Sequence, residues 1–123
     1  MIDTIQAEAE GLIEELERRT IDEGFSIRVS SVLDGYIETD WLNLVTQESD
    51  DGDIAHPERA ILLRFWIDPV GPPGYQLTAE AVHRRVFDPS LDPRQTEVMV
   101  PEGHEGEAML LRILGGIRER FGG

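Results

Sequence analysis

Apolar residues recur at helical spacing near both ends of this chain and alternate with polar ones in between. Ile2, Ile5, Ala9, Leu12, Ile13 and Leu16 fall on one side of a 3.6-residue period, with Glu8, Glu10, Glu14, Glu15 and Glu17 on much of the rest. The spacing predicts an α-helix from about Thr4 to Arg19. Asp3 suits its N-cap, with Gln6 three residues on to close a capping box. Arg18 and Arg19 put positive charge at the negative end of the dipole, and Gly24 offers a stop. A second helix is predicted over Glu107–Phe121, where Leu110, Leu114, Ile117 and Phe121 form a stripe with Ile113 beside it. Gly115 and Gly116 lie inside it, each costing about 1 kcal/mol relative to alanine. A close contact with the sheet would compensate; otherwise the helix end frays or kinks.

Between the helices the period changes to two. Phe25, Ile27 and Val29 alternate with Ser26, Arg28 and Ser30, which predicts a half-buried strand over Phe25–Val32. Leu33-Asp34-Gly35 suits a three-residue hairpin loop with glycine in the left-handed position. That register sets Val29 against Thr39, Ile27 against Trp41, Arg28 against Asp40 and Ser30 against Glu38. It gathers Ile27, Val29, Ile37 and Trp41 on one face and pairs Arg28 with Asp40 on the other. Arg59–Ile67 is nearly continuous in apolar residues, as in a central strand covered on both sides. Asp68–Gly74 reads as a turn, Tyr75–Phe87 as a strand despite the helical propensity of Ala79–Ala81, and Glu97–Val100 as a short extra strand. Gln47–Pro57 and Asp88–Pro93 are loops, the latter with two Asp-Pro steps that resist helix. The order is helix, three or four antiparallel strands, helix. This predicts one α+β domain over residues 1–123, a two-layer fold with both helices on one face of an antiparallel sheet.

Composition narrows the functional classes. A chain of 123 residues can bury a core without staples. It has no cysteine, which excludes disulfides and thiolate metal sites from these residues. Its formal net charge is −14, and all 11 basic residues are arginine. A phosphate-binding face needs clustered positive charge, so neither nucleic acid nor an anionic membrane surface is an expected partner. No apolar run is long enough to cross a bilayer, so direct insertion is not expected either.

Candidate chemistry is sparse. Gln47–Glu58 resembles a calcium loop in having Gly52, Ile54 and Glu58 at positions six, eight and twelve, but Gln47 stands where the first carboxylate belongs. A flexible acidic loop explains it better. His56, His83 and His104 are scattered, and His104-Glu105 lacks the second histidine of a zincin motif. No serine sits in a nucleophile elbow, and Gly71–Gly74 is a turn, not a phosphate cradle. No catalytic residue, cofactor or metal is expected.

The run Gly35-Tyr36-Ile37-Glu38-Thr39-Asp40-Trp41 resembles the G-x-x-E-T-D-W stretch of BamC/NlpB-type lipoproteins, accessory components of the machinery that inserts β-barrels into bacterial outer membranes. A helix and the segment Gly24–Val29 precede it. Downstream, Arg59–Pro69 is similar to the family's arginine-punctuated strand. His83-Arg84 is similar to the end of a later strand, with Arg85 in place of the family's glycine. The lipidated cysteine and long N-terminal segment of the family are not in these residues, and one domain is read here where members often carry two. The resemblance implies a non-catalytic domain at the periplasmic face of the outer membrane that acts by binding other proteins. It makes Gly35, Glu38, Thr39, Asp40 and Trp41, with Arg28 opposite, the candidate motif and interaction residues. The alternatives are an intracellular, cytoplasmic assembly subunit of the phage tail or neck type, and a small ligand-binding or enzymatic domain.

Overall fold

A computed structural model describes residues 2–50, 60–71, 74–84 and 97–121. The chain opens with a strand, β1 (Ile2–Gln6), before helix α1 (Ala9–Asp22). This corrects the predicted helix start at Thr4 and the capping box of Asp3 and Gln6. The N-cap is Glu8, and it makes no side-chain capping bond. Pairing explains the difference: Ile2–Gln6 lies antiparallel against Gly74–Thr78 and buries Ile5 completely. A long-range ladder here outweighs a local helical period.

Six strands follow α1: β2 (Ile27–Ser31), β3 (Tyr36–Thr39), β4 (Trp41–Asn43), β5 (Glu48–Asp50), β6 (Ala60–Gly71) and β7 (Gly74–Arg84). Then come β8 (Glu97–Met99) and α2 (Glu105–Phe121). The fold is α+β with an entirely antiparallel sheet of eight strand segments, where three or four strands were expected. The central order is β1-β7-β6-β3-β2. β8 pairs with β7 beyond β1, and β5 pairs with β4 beyond β2. The extra segments are short edge pieces whose few residues carry no periodic signal.

Strand β6 runs through Asp68 and Pro69 to Gly71, which the turn motif assigned to a loop. A register shift between Pro69 and Gly71 accommodates the proline, which cannot donate to the ladder. Ala79–Ala81 is strand, as the alternation predicts. The loop over Asp88–Pro93 lies outside the described residues.

Alternate residues of the strands build two clusters. On the inner side Ile37, Phe65, Ile67, Leu77 and Ala79 pack with Leu12 and Leu16 of α1 and with Leu110, Ile113 and Ile117 of α2. On the outer side Trp41, Ala60, Leu62 and Val82 form a smaller cluster. Helix α2 is unbroken across its glycines. Gly116 is buried, and a Cβ there would stand 2.0 Å from Arg19 Nη1, so the compensating contact is with a helix, not the sheet. Gly115 faces open space. No helix among the described residues is long and apolar enough to cross a membrane.

Candidate interaction site around Gly35–Trp41

The hairpin that carries the motif is bulged twice. Ser31 pairs with Tyr36, Ser30 with Ile37 and Val29 with Glu38, but Ile27 pairs with Thr39. Arg28 is therefore an extra residue in β2. On the other side of the motif, Glu38 pairs with Arg64 and Leu42 with Ile61. Residues 39, 40 and 41 thus oppose only residues 62 and 63. The predicted register is off by one at Val29 and Ser30 and by two at Ile27, and the connecting turn spans Val32–Gly35 rather than three residues. Val29 consequently shares the outer side with Glu38 and is 40% exposed, not buried with Ile37. Trp41 is buried as expected, at 3% exposure, but in the outer cluster and not beside Ile27 under a helix.

Each specified position of the motif has its own structural demand. Gly35 adopts φ +61°, and a Cβ there would lie 2.4 Å from the carbonyl oxygen of Ile67. The Ile67 N–H donates to the Gly35 carbonyl at 2.8 Å, so only glycine brings the two backbones this close. Thr39 is fully buried in the second bulge. Its Oγ1 accepts the Leu63 N–H at 3.0 Å and donates to the Asp40 carbonyl at 2.9 Å, satisfying a backbone donor that the bulge leaves without a ladder partner. The Asp40 N–H donates to the Ser26 carbonyl at 2.9 Å. Its carboxylate accepts from Arg28 Nε at 2.9 Å, so the predicted Arg28–Asp40 pair forms although the two are not register partners.

Glu38 belongs to a network that the sequence did not reveal. Arg64, 6% exposed, donates through Nε to Glu38 at 2.8 Å and through Nη1 to Glu80 at 3.1 Å. Its Nη1 and Nη2 together grip Glu97, each at 2.8 Å. The fork of Glu97 and the bonds of Glu38 and Glu80 hold the guanidinium firmly protonated against burial. Burial pushes the Glu38 carboxyl up, but hydrogen bonds from Arg64 and Tyr36 more than offset it, leaving it below its ordinary value. The Tyr36 hydroxyl donates to Glu38 at 2.8 Å. Burial, with the Glu38 bond second, pushes that phenol up to about 12. Four strands converge on Arg64, which no local spacing could signal.

The remaining candidates separate. His83 and His104 stack, with ring centroids 5.9 Å apart and planes within 8°. His104 Nδ1 accepts the Gly106 N–H at 2.9 Å, and burial followed by the neighbouring His83 lowers its pKa. His56 lies outside the described residues. Gln47, the first position of the calcium-like loop, has φ +61° in a turn held by Asn43 Oδ1, and Glu48–Asp50 pairs with Trp41–Asn43. The rest of that loop lies outside the described residues. Among the described residues no group of three or more His, Asp or Glu side chains is arranged to hold a metal ion. A groove of about 610 Å³ runs between α1 and the end of α2, lined by Glu14, Glu17, Arg18, Asp22, Arg120 and Phe121 among others. None of the motif residues lines it.

Compared with models of protein families, the chain matches none, and no curated protein matches it.

Proposed function

We propose that this chain is a non-catalytic domain of a BamC-like envelope lipoprotein and works by binding other proteins, in outer-membrane protein assembly. One observation carries the proposal. The positions that the G-x-x-E-T-D-W run specifies are those with a singular structural demand: Gly35 at the close backbone approach, Glu38 on Arg64, Thr39 in the bulge, Asp40 on Arg28, and Trp41 in the outer cluster. The unspecified positions are Ile37, which fills the core, and Tyr36, whose hydroxyl donates to Glu38. These five positions hold the bulged path from β3 to β4 and its close approach to β6, which supports reading the resemblance as one of architecture. In this reading the sheet carries both helices side by side on its inner face and leaves its outer face and edges for partners. Gly35, Glu38, Thr39, Asp40 and Trp41 shape that surface; they do no chemistry. The domain sits at the periplasmic face of the outer membrane, anchored by a lipidated cysteine outside these residues.

The test is cross-linking in the native cell with a tagged full-length gene product. The proposal expects an outer-membrane or periplasmic protein to be captured, and no hydrolase or transferase activity in the purified chain. Capture of cytosolic assembly proteins alone would replace it with the intracellular reading.

A further inference from the structure

The strand register lines up one outer-side residue from each of five strands. Ile2 opposes Thr78, Thr78 opposes Trp66, Trp66 opposes Tyr36, and Tyr36 opposes Ser31. The row crosses the whole sheet. At its centre the Tyr36 and Trp66 rings lie 5.6 Å apart at 46°, and at one end Ile2 is 68% exposed. Both aromatics are half-buried. The neighbouring row, two residues along each strand, holds Glu38, Arg64 and Glu80. There three carboxylates, counting Glu97, share the Arg64 guanidinium, so among the described residues this ion-pair cluster beside the rings carries more acidic than basic groups. On the other flank Asp68 is exposed.

We propose that this row is a docking surface for a protein segment that carries arginine or lysine next to apolar residues. The proposal rests on the reading that the chain works by binding proteins. Tyrosine and tryptophan give large, rigid contact area and are the residue types that anchor protein interfaces. The faces of the same rings attract a cation. Carboxylates on both flanks set the sign of the charge that completes the surface and steer it there. A second copy of this chain does not fit, because 25 acidic residues against 11 arginines would bring like charge onto like.

A photo-cross-linking amino acid at Thr78 or Ile2 of the full-length protein, in its native cell, tests this. Leu111, exposed on α2, is the control position. Both row positions should capture the same segment of one protein, with arginine or lysine close to the cross-link. A synthetic peptide of that segment should bind the purified chain. Thr78→Arg should weaken it by about tenfold or more, one close charge contact's worth, at unchanged melting temperature. Trp66→Ala should weaken it as well. Capture no greater than at Leu111, an acidic or protein-free adduct, or a peptide whose affinity Thr78→Arg leaves unchanged would overturn the docking surface. The compartment of the captured protein is a separate result. A cytosolic protein bound through such a segment would sink the envelope reading and leave the surface standing; an envelope protein captured only at Leu111 would do the opposite.

Discussion

Ile37 of β3 and Trp41 of β4, four residues apart, turn to opposite sides of the sheet: Ile37 into the core with the helices, Trp41 into the outer cluster. Even separation along a regular strand would put them on the same side. The extra residue at Thr39–Trp41 reverses the parity, and the Thr39 hydroxyl stands in for the missing ladder acceptor of Leu63.

Thr39→Val keeps the volume and removes that acceptor. It should cost about 1–3 kcal/mol, because the Leu63 N–H is left buried and unpaired. Thr39→Ser should recover most of the loss. Trp41→Ala should cost roughly 3–5 kcal/mol by opening a cavity. Denaturant unfolding of the three variants checks this; a Thr39→Val protein as stable as the parent would mean another group takes the N–H.

Arg64→Met should cost about 3–5 kcal/mol, since it leaves three clustered carboxylates without their cation. The acid response should also change sign. In the parent the Glu38 carboxyl is held below its unfolded value, so its stabilisation is present above that value and lost as pH falls through the folded one. Without Arg64 the carboxylates repel, and mild acid should stabilise the variant. Melting curves from neutral pH downward distinguish the two slopes.

At the alkaline end Tyr36 acts the other way. Its folded pKa of about 12 exceeds the ordinary phenol value of 10.0, so its contribution is full below 10 and is lost as pH rises toward 12. Tyr36→Phe should flatten that part of the stability profile. An unchanged alkaline slope would show that another group dominates there.

The two glycines of α2 should respond oppositely. Gly115→Ala meets open space and should stabilise by up to about 1 kcal/mol. Gly116→Ala would collide with the Arg19 guanidinium, displacing the side chain that donates to Glu15 at 2.9 Å. It should gain nothing or destabilise. Thermal melts of both variants decide.

What could be read from the residues was whatever depends on local period. The α2 stripe of Leu110, Ile113, Leu114 and Ile117, the left-handed Gly35, strands β6 and β7 and the Arg28–Asp40 pair all appear as expected. What failed depends on distant partners. Ile2 and Ile5 fit a helical stripe until Gly74–Thr78 claims them as a strand. The register slipped at the turn, which takes four residues instead of three, and again at the Arg28 bulge, while the bulge at Thr39–Trp41 turns Trp41 to the other side; alternation cannot announce such extra residues. Arg64 looked like punctuation in an apolar strand, yet it gathers glutamates up to 33 residues away. The row from Ile2 to Ser31 exists only once the register is known.

The most direct measurement of the envelope assignment is where the protein resides. Cells expressing the full-length gene product from its own gene should be separated into cytosol, periplasm, inner membrane and outer membrane. The protein should follow the outer membrane, and detergent should be needed to release it. Recovery in the cytosol without detergent would contradict the assignment.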